Sequence, residues 1–311
     1  MSRSAEHYSV LLEESVAGLD LKPDGIYIDA TFGRGGHTRY LLEQLGKNAQ
    51  VMGIDQDPQA VAYANENIKD SRFSIQYGSF EDIYAYCESR GWVGKVDGVL
   101  LDLGVSSPQL DQAERGFSFM REGPLDMRMN NQQGPTAKEW LEQVDEDVLK
   151  QVLRSYGEEK FPGRLARVIK EAVAAGNLNT TKDLADLVTQ TLPKKEKNKH
   201  PATRTFQAIR IALNRELDVL HKVLVSAVEV LAPEGRLSVI SFHSLEDRIV
   251  KTFMRDKSQV KDLFPDSPVP IQVIEPVLKR VGKPVFPSKS ECEVNPRSRS
   301  SVLRIAEKLP S

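Results

Sequence analysis

The tightest constraint on this 311-residue chain is the stretch DATFGRGGHT, residues 29 to 38, which follows the apolar run Ile26 to Ile28. Gly33, Gly35 and Gly36 supply backbone that takes positive φ and lets a ligand approach closely, and the periodic segment TRYLLEQLG behind them reads as a helix. A strand, a glycine turn and a helix N-terminus in succession make a nucleotide-type site, because the helix turns its unpaired N–H groups toward whatever fills the turn. A second apolar run, VMGID, ends at Asp55, close to the spacing of roughly 20 residues at which a ribose-binding carboxylate follows such a loop.

The glycine pattern discriminates between ligands. A dinucleotide fingerprint is G-x-G-x-x-G, whereas here Asp29 stands four residues before the first glycine of G-x-G-G. A carboxylate at that place repels a pyrophosphate and attracts an ammonium group, which favours S-adenosylmethionine over a dinucleotide. A plain βα turn with Asp29 as a cap would leave the same pattern.

Strands alternating with helices predict a doubly wound, mostly parallel sheet. A covering helix spans HYSVLLEESVAGLDL, strands are expected at 25 to 31 and 51 to 55, RFSIQYGSF forms a third, and the nearly continuous apolar run in KVDGVLLDLGVSSP a fourth. From about 111 to 200 no apolar strand run occurs, and Thr136-x-x-Glu139 and Thr180-x-x-Asp183 read as capping boxes of an inserted helical domain. The expected division is 1–110 for the first part of the sheet domain, 111–200 for the insertion and 201–311 for the second part. One long helix is predicted from Thr205 to the Pro233–Gly235 turn, then a strand in RLSVISFHS, a helix capped by Ser244, an irregular stretch over 256–300 with a strand near 271–279, and a final strand in SSVLRIAEKL.

Composition is that of an ordinary globular chain, 40% hydrophobic and 28% charged. No leader-like or membrane-spanning apolar run is present, so a cytoplasmic location is expected. Cys87 and Cys292 stand apart without clustered histidines, and no metal site is expected. The net charge of −2 is unevenly spread: Lys160 to Arg215 carries +8, Lys279 to Arg304 carries +5, and the remainder −15. Such asymmetry points to a polyanion met by particular faces, with solvated helix faces as the plain alternative.

In open α/β sheets ligands lie at the carboxyl ends of the strands, which gathers Gly33 to His37, Asp55, Phe80, Asp102 to Ser107 and His243 around one crevice. Asp102 is the most informative, since a carboxylate after Val99, Leu100 and Leu101 costs free energy unless it has partners. His243 is a second candidate for proton transfer.

The blocks HYSVLLEESV, YIDATFGRGGHT, GIDQDPQA, DGVLLDLGVSSPQLDQAERGFSFMREGPLDMRM, HPATRTFQAIRIALN, ISFHSLEDRIVK and NPRSRSSVLRIAE resemble the ribosomal RNA small subunit methyltransferase H family, formerly called MraW, over almost the whole chain. The resemblance implies a seven-stranded class I methyltransferase sheet and methyl transfer from S-adenosylmethionine to the exocyclic N4 of one cytidine in the decoding region of 16S rRNA. It places cofactor contacts on Gly35, Gly36, His37, Asp55, Phe80, Asp102 and Gln109, the last beyond the reach of the residue-level reading, and His37 is expected to act through its backbone. The expected partner is 16S rRNA within the small ribosomal subunit or a late assembly intermediate, with no membrane partner; a homodimer is left open.

One departure concerns the base. N4-specific DNA methyltransferases follow the motif residue with Pro-Pro-aromatic, but here Asp102 is followed by Leu103-Gly104-Val105-Ser106-Ser107. A stacking ring must come from elsewhere, with Phe117 and Phe119 as candidates against the alternative that they anchor the insertion. For the rRNA backbone the candidates are Lys194, Lys195, Lys197, Lys199, Arg204 and Arg210. A noncatalytic assembly factor would be expected to lose Asp102 or the loop, and an NAD-dependent oxidoreductase needs G-x-G-x-x-G; neither pattern is found.

Overall fold

The computed structural model describes residues 9–192, 200–262 and 273–310, in two compact units: 1–104 with 219–311, and 105–218. The first unit holds β1 (Ile26–Asp29), β2 (Gln50–Asp55), β3 (Phe73–Tyr77), β4 (Val96–Asp102), β5 (Leu231–Ser241), a small antiparallel pair β6 (Lys261–Asp262) and β7 (Val273–Ile274), then β8 (Leu278–Val285) and β9 (Val302–Lys308). Among the described residues the main sheet has seven strands in the order β3-β2-β1-β4-β5-β9-β8, parallel from β3 to β5 and antiparallel at β5–β9 and β9–β8. The mostly parallel doubly wound sheet is therefore as expected, and its direction of winding reverses between β1 and β4, where ligand crevices form.

The helices of this unit are α1 (Leu12–Ala17), α2 (Gly36–Gln44), α3 (Pro58–Asn67) and α4 (Ile83–Glu88), followed after the second unit by α11 (Glu216–Val230, its body from Val219 onward), α12 (Ser244–Lys257) and α13 (Lys289–Val294). Strand β4 explains the two-faced burial. Its Val99 and Leu101 pack with Leu220, Val223, Leu224 and Ala227 of α11, while Leu100 faces Val16, Tyr27, Leu41 and Leu42 on the other side. Both faces being covered, the strand reads as a continuous apolar run, and each fully buried leucine contributes about 1.5–3 kcal/mol.

The second unit is helical: α5 (Ser107–Asp111), α6 (Ala137–Gln143), α7 (Glu146–Gly157), α8 (Pro162–Ala174), α9 (Thr181–Thr191) and α10 (Thr203–Leu213). Both predicted capping boxes form, Thr136 with Glu139 and Thr180 with Asp183. Leu141, Leu149, Leu153, Leu165, Leu184, Phe206 and Ile209 share one buried cluster.

Three expectations need correction. The unit is 105–218 and not 111–200, because Phe206 and Ile209 of α10 join that helical core. The single helix from Thr205 is two: at its break Arg215 has φ +53°, and Asn214 donates to the Met127 and Arg210 carbonyls at 2.8 and 2.9 Å while accepting from the Met129 N–H at 2.8 Å. The strand near 271–279 is split into the short β7 and the start of β8 at Leu278, and 271–272 lie outside the described residues.

Candidate functional site

The carboxyl ends of β1, β2 and β4 bring Asp29, Asp55 and Asp102 to one end of the first unit's sheet. Between β1 and α2 the chain turns through Gly33 (φ +56°) and Gly35 (φ +69°), left-handed backbone that glycine adopts without strain. A Cβ on Gly35 would also lie 2.6 Å from the Phe32 ring, and one on Gly36 would collide with the Ser9 hydroxyl. Gly35 caps α2, so the free N–H groups of that nine-residue helix open toward the turn.

Asp55 holds the turn. Its Oδ2 accepts from the Gly33 N–H and its Oδ1 from the Asp57 N–H, each at 2.8 Å. Each carboxylate oxygen has a second lone pair, so two further donors, such as a ribose diol, can be received. Burial pushes its carboxyl up to about 6, opposed by the two N–H donors and reinforced by Asp57 and Asp29.

Asp29, fully buried, accepts from Thr38 Oγ1 at 2.7 Å and the Thr31 N–H at 3.3 Å. Burial raises its carboxyl above the usual range, while His37 and Thr38 act in the opposite direction. Its two oxygens thus tie β1 to the start of α2, a structural use that the Asp-to-glycine spacing alone does not reveal.

Asp102 is held from behind and open in front. Its N–H donates to Thr31 Oγ1 at 2.6 Å, and its Oδ2 lies 3.8 Å from His37 Nδ1. Its Oδ1 is buried and has no hydrogen-bond partner among the described residues. Leaving such an atom unpaired costs about 1–3 kcal/mol, more for a charged group. Burial lifts its carboxyl to about 6, with Asp29 and Glu246 adding and His37 opposing.

The His37 ring is itself held in place. It is 4% exposed, and Nε2 lies 3.1 Å from the Val10 carbonyl. A carbonyl only accepts, so Nε2 donates and Nδ1 is turned to Asp102. Phe80 opens a 3-10 turn after β3 and packs, half-buried, against the main core.

His243 takes the place expected of Ser244 as N-cap of α12. Its Nδ1 accepts from the Glu246 N–H at 3.4 Å, and its Nε2 lies 3.0 Å from Glu246 Oε1 without a directed hydrogen bond. Glu246, 2% exposed, reaches back to the Phe242 and His243 N–H groups. His243 Nδ1 thus closes the helix end in a box of the S/T-x-x-E type with histidine in the first place, while Nε2 is buried without a hydrogen-bond partner among the described residues.

The remaining candidates lie in the second unit or outside the described residues. Gln109 is buried and its Oε1 accepts from the Ser106 N–H at 2.9 Å, closing a capping box on α5. Phe117 is a core residue, 7% exposed, and Phe119 stacks on His200 at 4.5 Å between centroids with its edge to Phe206 at 5.0 Å. Both rings therefore serve the helical core, as the anchoring alternative had it. Arg210 pairs with both Glu216 oxygens at 2.8 Å, and Arg204 donates to the Glu158 carbonyl at 3.0 Å. Neither guanidinium is presented as a loose phosphate contact. Lys194, Lys195, Lys197 and Lys199 lie outside the described residues. Thr31 and Val10, which fix Asp102 and His37, went unread in the sequence because contacts spanning 71 and 27 positions leave no local signal.

The arrangement thus offers a glycine turn at a helix N-terminus, a diol-accepting carboxylate, and an unpaired carboxylate oxygen above the sheet. The model of the MraW methylase family matches residues 4–309. A protein of Hydrogenovibrio crunogenus named ribosomal RNA small subunit methyltransferase H is 68% identical over 305 residues, 98% of this chain and 97% of that one. Proteins of the same name from Shewanella halifaxensis and Shewanella baltica are 55% and 56% identical, covering 100% and 99% of this chain and 99% of each of theirs.

Proposed function

Because the chain belongs to the MraW methylase family, we propose that it transfers a methyl group from S-adenosylmethionine to the exocyclic N4 of one cytidine in the decoding region of 16S rRNA. At the coarser level it is an S-adenosylmethionine-dependent methyltransferase of small-subunit rRNA, the activity named for relatives 55–68% identical over nearly the full chain. Assembled or late-assembling small subunits in the cytoplasm are the proposed setting.

The residues fit that cofactor. Asp55 has lone pairs for ribose hydroxyls, and the turn from Gly33 to His37 admits close backbone approach. When bound, S-adenosylmethionine supplies an electrophilic methyl group on a sulfonium.

The observation that carries the finer reading is the buried, unpartnered Asp102 Oδ1. The N4 lone pair of cytosine is delocalised into the ring, so the amine attacks poorly until an acceptor draws on its N–H and lets the nitrogen become pyramidal. Asp102 Oδ1 accepts that hydrogen bond and takes the proton as the nitrogen becomes tetrahedral. Thr31 fixes the backbone beneath it, and His37 Nδ1, 3.8 Å from the second oxygen, forms an ion pair with it when the imidazole is protonated. Positioning the amine is worth several kcal/mol in such reactions, and a well-placed base about 10²–10⁴ in rate.

The test is a map of modified cytidines in small-subunit RNA with and without the gene. One N4-methyl mark in the decoding region is expected to vanish in its absence and return with the purified protein; an unaltered map refutes the reading.

A further inference from the structure

Within the first unit, helix α12 and the antiparallel pair β8–β9 border a half-open cavity of about 630 Å³ at the outer edge of the sheet. That volume is in the range of nucleotide-sized sites. Among its fourteen lining residues are five cations, Lys251, Lys279, Arg280, Lys283 and Arg304, and no Asp or Glu. Two of the five are engaged: Arg304 holds both Asp247 oxygens at 2.7 and 3.0 Å, and Lys279 lies 4.0 Å from Glu307. Lys251, Arg280 and Lys283 are exposed and make no hydrogen bond or ion pair with any described residue.

Lysines on an edge strand also serve to block sheet-to-sheet pairing, and β8 is an edge. That role does not reach Lys251, which comes from α12, and it does not ask for a concavity free of acids. Like charges left unpaired around a concave, partly apolar wall concentrate positive potential there, which recruits a polyanion and repays its desolvation. Phe286, one residue past β8, is 64% exposed. Phe286 stands three positions after Lys283 in the chain, and an exposed ring so near the cations in sequence suits nucleic acid better than an acidic peptide, because every base offers a face to stack on.

We propose that this cavity is a second rRNA contact, in which Lys251, Arg280 and Lys283 meet consecutive phosphates of a single-stranded segment of the substrate. The proposal rests on rRNA being the substrate and adds a docking site remote from Asp102 in sequence, at the edge strand β8, whereas Asp102 ends the central strand β4.

The experiment uses the full-length protein with Lys251→Ser, Arg280→Ser and Lys283→Ser combined, and two probes: small subunits isolated from a strain lacking the protein, and naked 16S rRNA. For both probes the slope of log affinity against log salt is expected to fall by about 2, from three lost phosphate contacts. The KM for subunits should rise roughly tenfold at unaltered kcat and unaltered S-adenosylmethionine affinity. A Lys251→Arg, Lys283→Arg variant keeps the charge and should keep the native slope. An unaltered slope with both probes overturns the proposal. So does weaker binding of subunits with native binding of naked rRNA, which would assign the cavity to an acidic ribosomal protein. If the native protein neither binds nor methylates either probe, the substrate reading itself fails, an outcome separable from failure at the cavity.

Discussion

At the scale of single residues the site stores free energy in carboxylates that lack full compensation. Asp102 is raised from an ordinary carboxylate value to about 6, chiefly by burial. A carboxyl raised on folding favours the folded state below its unfolded value near 3.8 and loses that contribution as pH climbs through 6. Asp102→Asn removes the ionisation altogether, so it should stabilise the protein by up to about 3 kcal/mol at pH 8, roughly half of that at pH 5, and little at pH 4. Urea midpoints across that range measure it; equal gains at pH 4 and pH 8 would contradict burial as the cause. The same substitution should lower single-turnover methylation on the order of 10² to 10⁴ while cofactor affinity changes much less. Activity then requires ionised Asp102 and should fall as pH drops through about 6. Three groups set that limb: Asp29 and Glu246 raise Asp102, and His37 lowers it. His37→Gln can still donate to the Val10 carbonyl but no longer carries the lowering charge, so the acidic limb should move to higher pH. A limb that stays in place would mean that His37 does not act on Asp102.

At the scale of elements, legibility followed burial and locality. Strands β1, β2 and β4 were readable because burial on both faces writes an apolar run into the sequence. Strand β8 was not: LKRVGKPV has most of its residues exposed, and such a composition is indistinguishable from a loop. The break between α10 and α11 was equally hidden, since the apolar stripe from Phe206 to Leu224 keeps its three-and-four spacing across it. What ends α10 is tertiary, the hydrogen bonds of Asn214 to Met127 and Met129. Within the site, the glycines, Asp55 and Asp102 were legible from local spacing, whereas Thr31 under Asp102 was not. Asn214→Ala leaves the Met129 N–H and the Met127 carbonyl without their partner and should cost about 1–3 kcal/mol, read as a lower urea midpoint and faster amide exchange at Met129. Native exchange at Met129 in the variant would show that the bond is not what holds the break.

At the scale of the whole chain, a net charge of −2 gives no reason for binding a polyanion, and only its distribution does. The segment Lys160 to Arg215 carries +8 and Lys279 to Arg304 +5 against −15 elsewhere. In salt of about 0.15 M, charges beyond roughly 8 Å are largely screened, so a phosphate at either segment responds to the cations left unpaired near it, those held by Glu216, Asp247 and Glu307 being offset, and hardly to acids farther away. With Arg204 and Arg210 engaged by Glu158 and Glu216, the other cations of the first segment, its run of lysines at 194–199 foremost, are left as its proposed phosphate contacts. Replacing Lys194, Lys195 and Lys197 together by serine should therefore lower the salt slope of rRNA affinity by about 2 while calorimetric affinity for S-adenosylmethionine stays native. If the two sets of three substitutions act on separate RNA segments, their slopes should add, a combined loss of about 4. A combined loss equal to that of one set alone would mean that a single RNA segment is counted twice, and that the two basic segments do not engage the substrate at the same time.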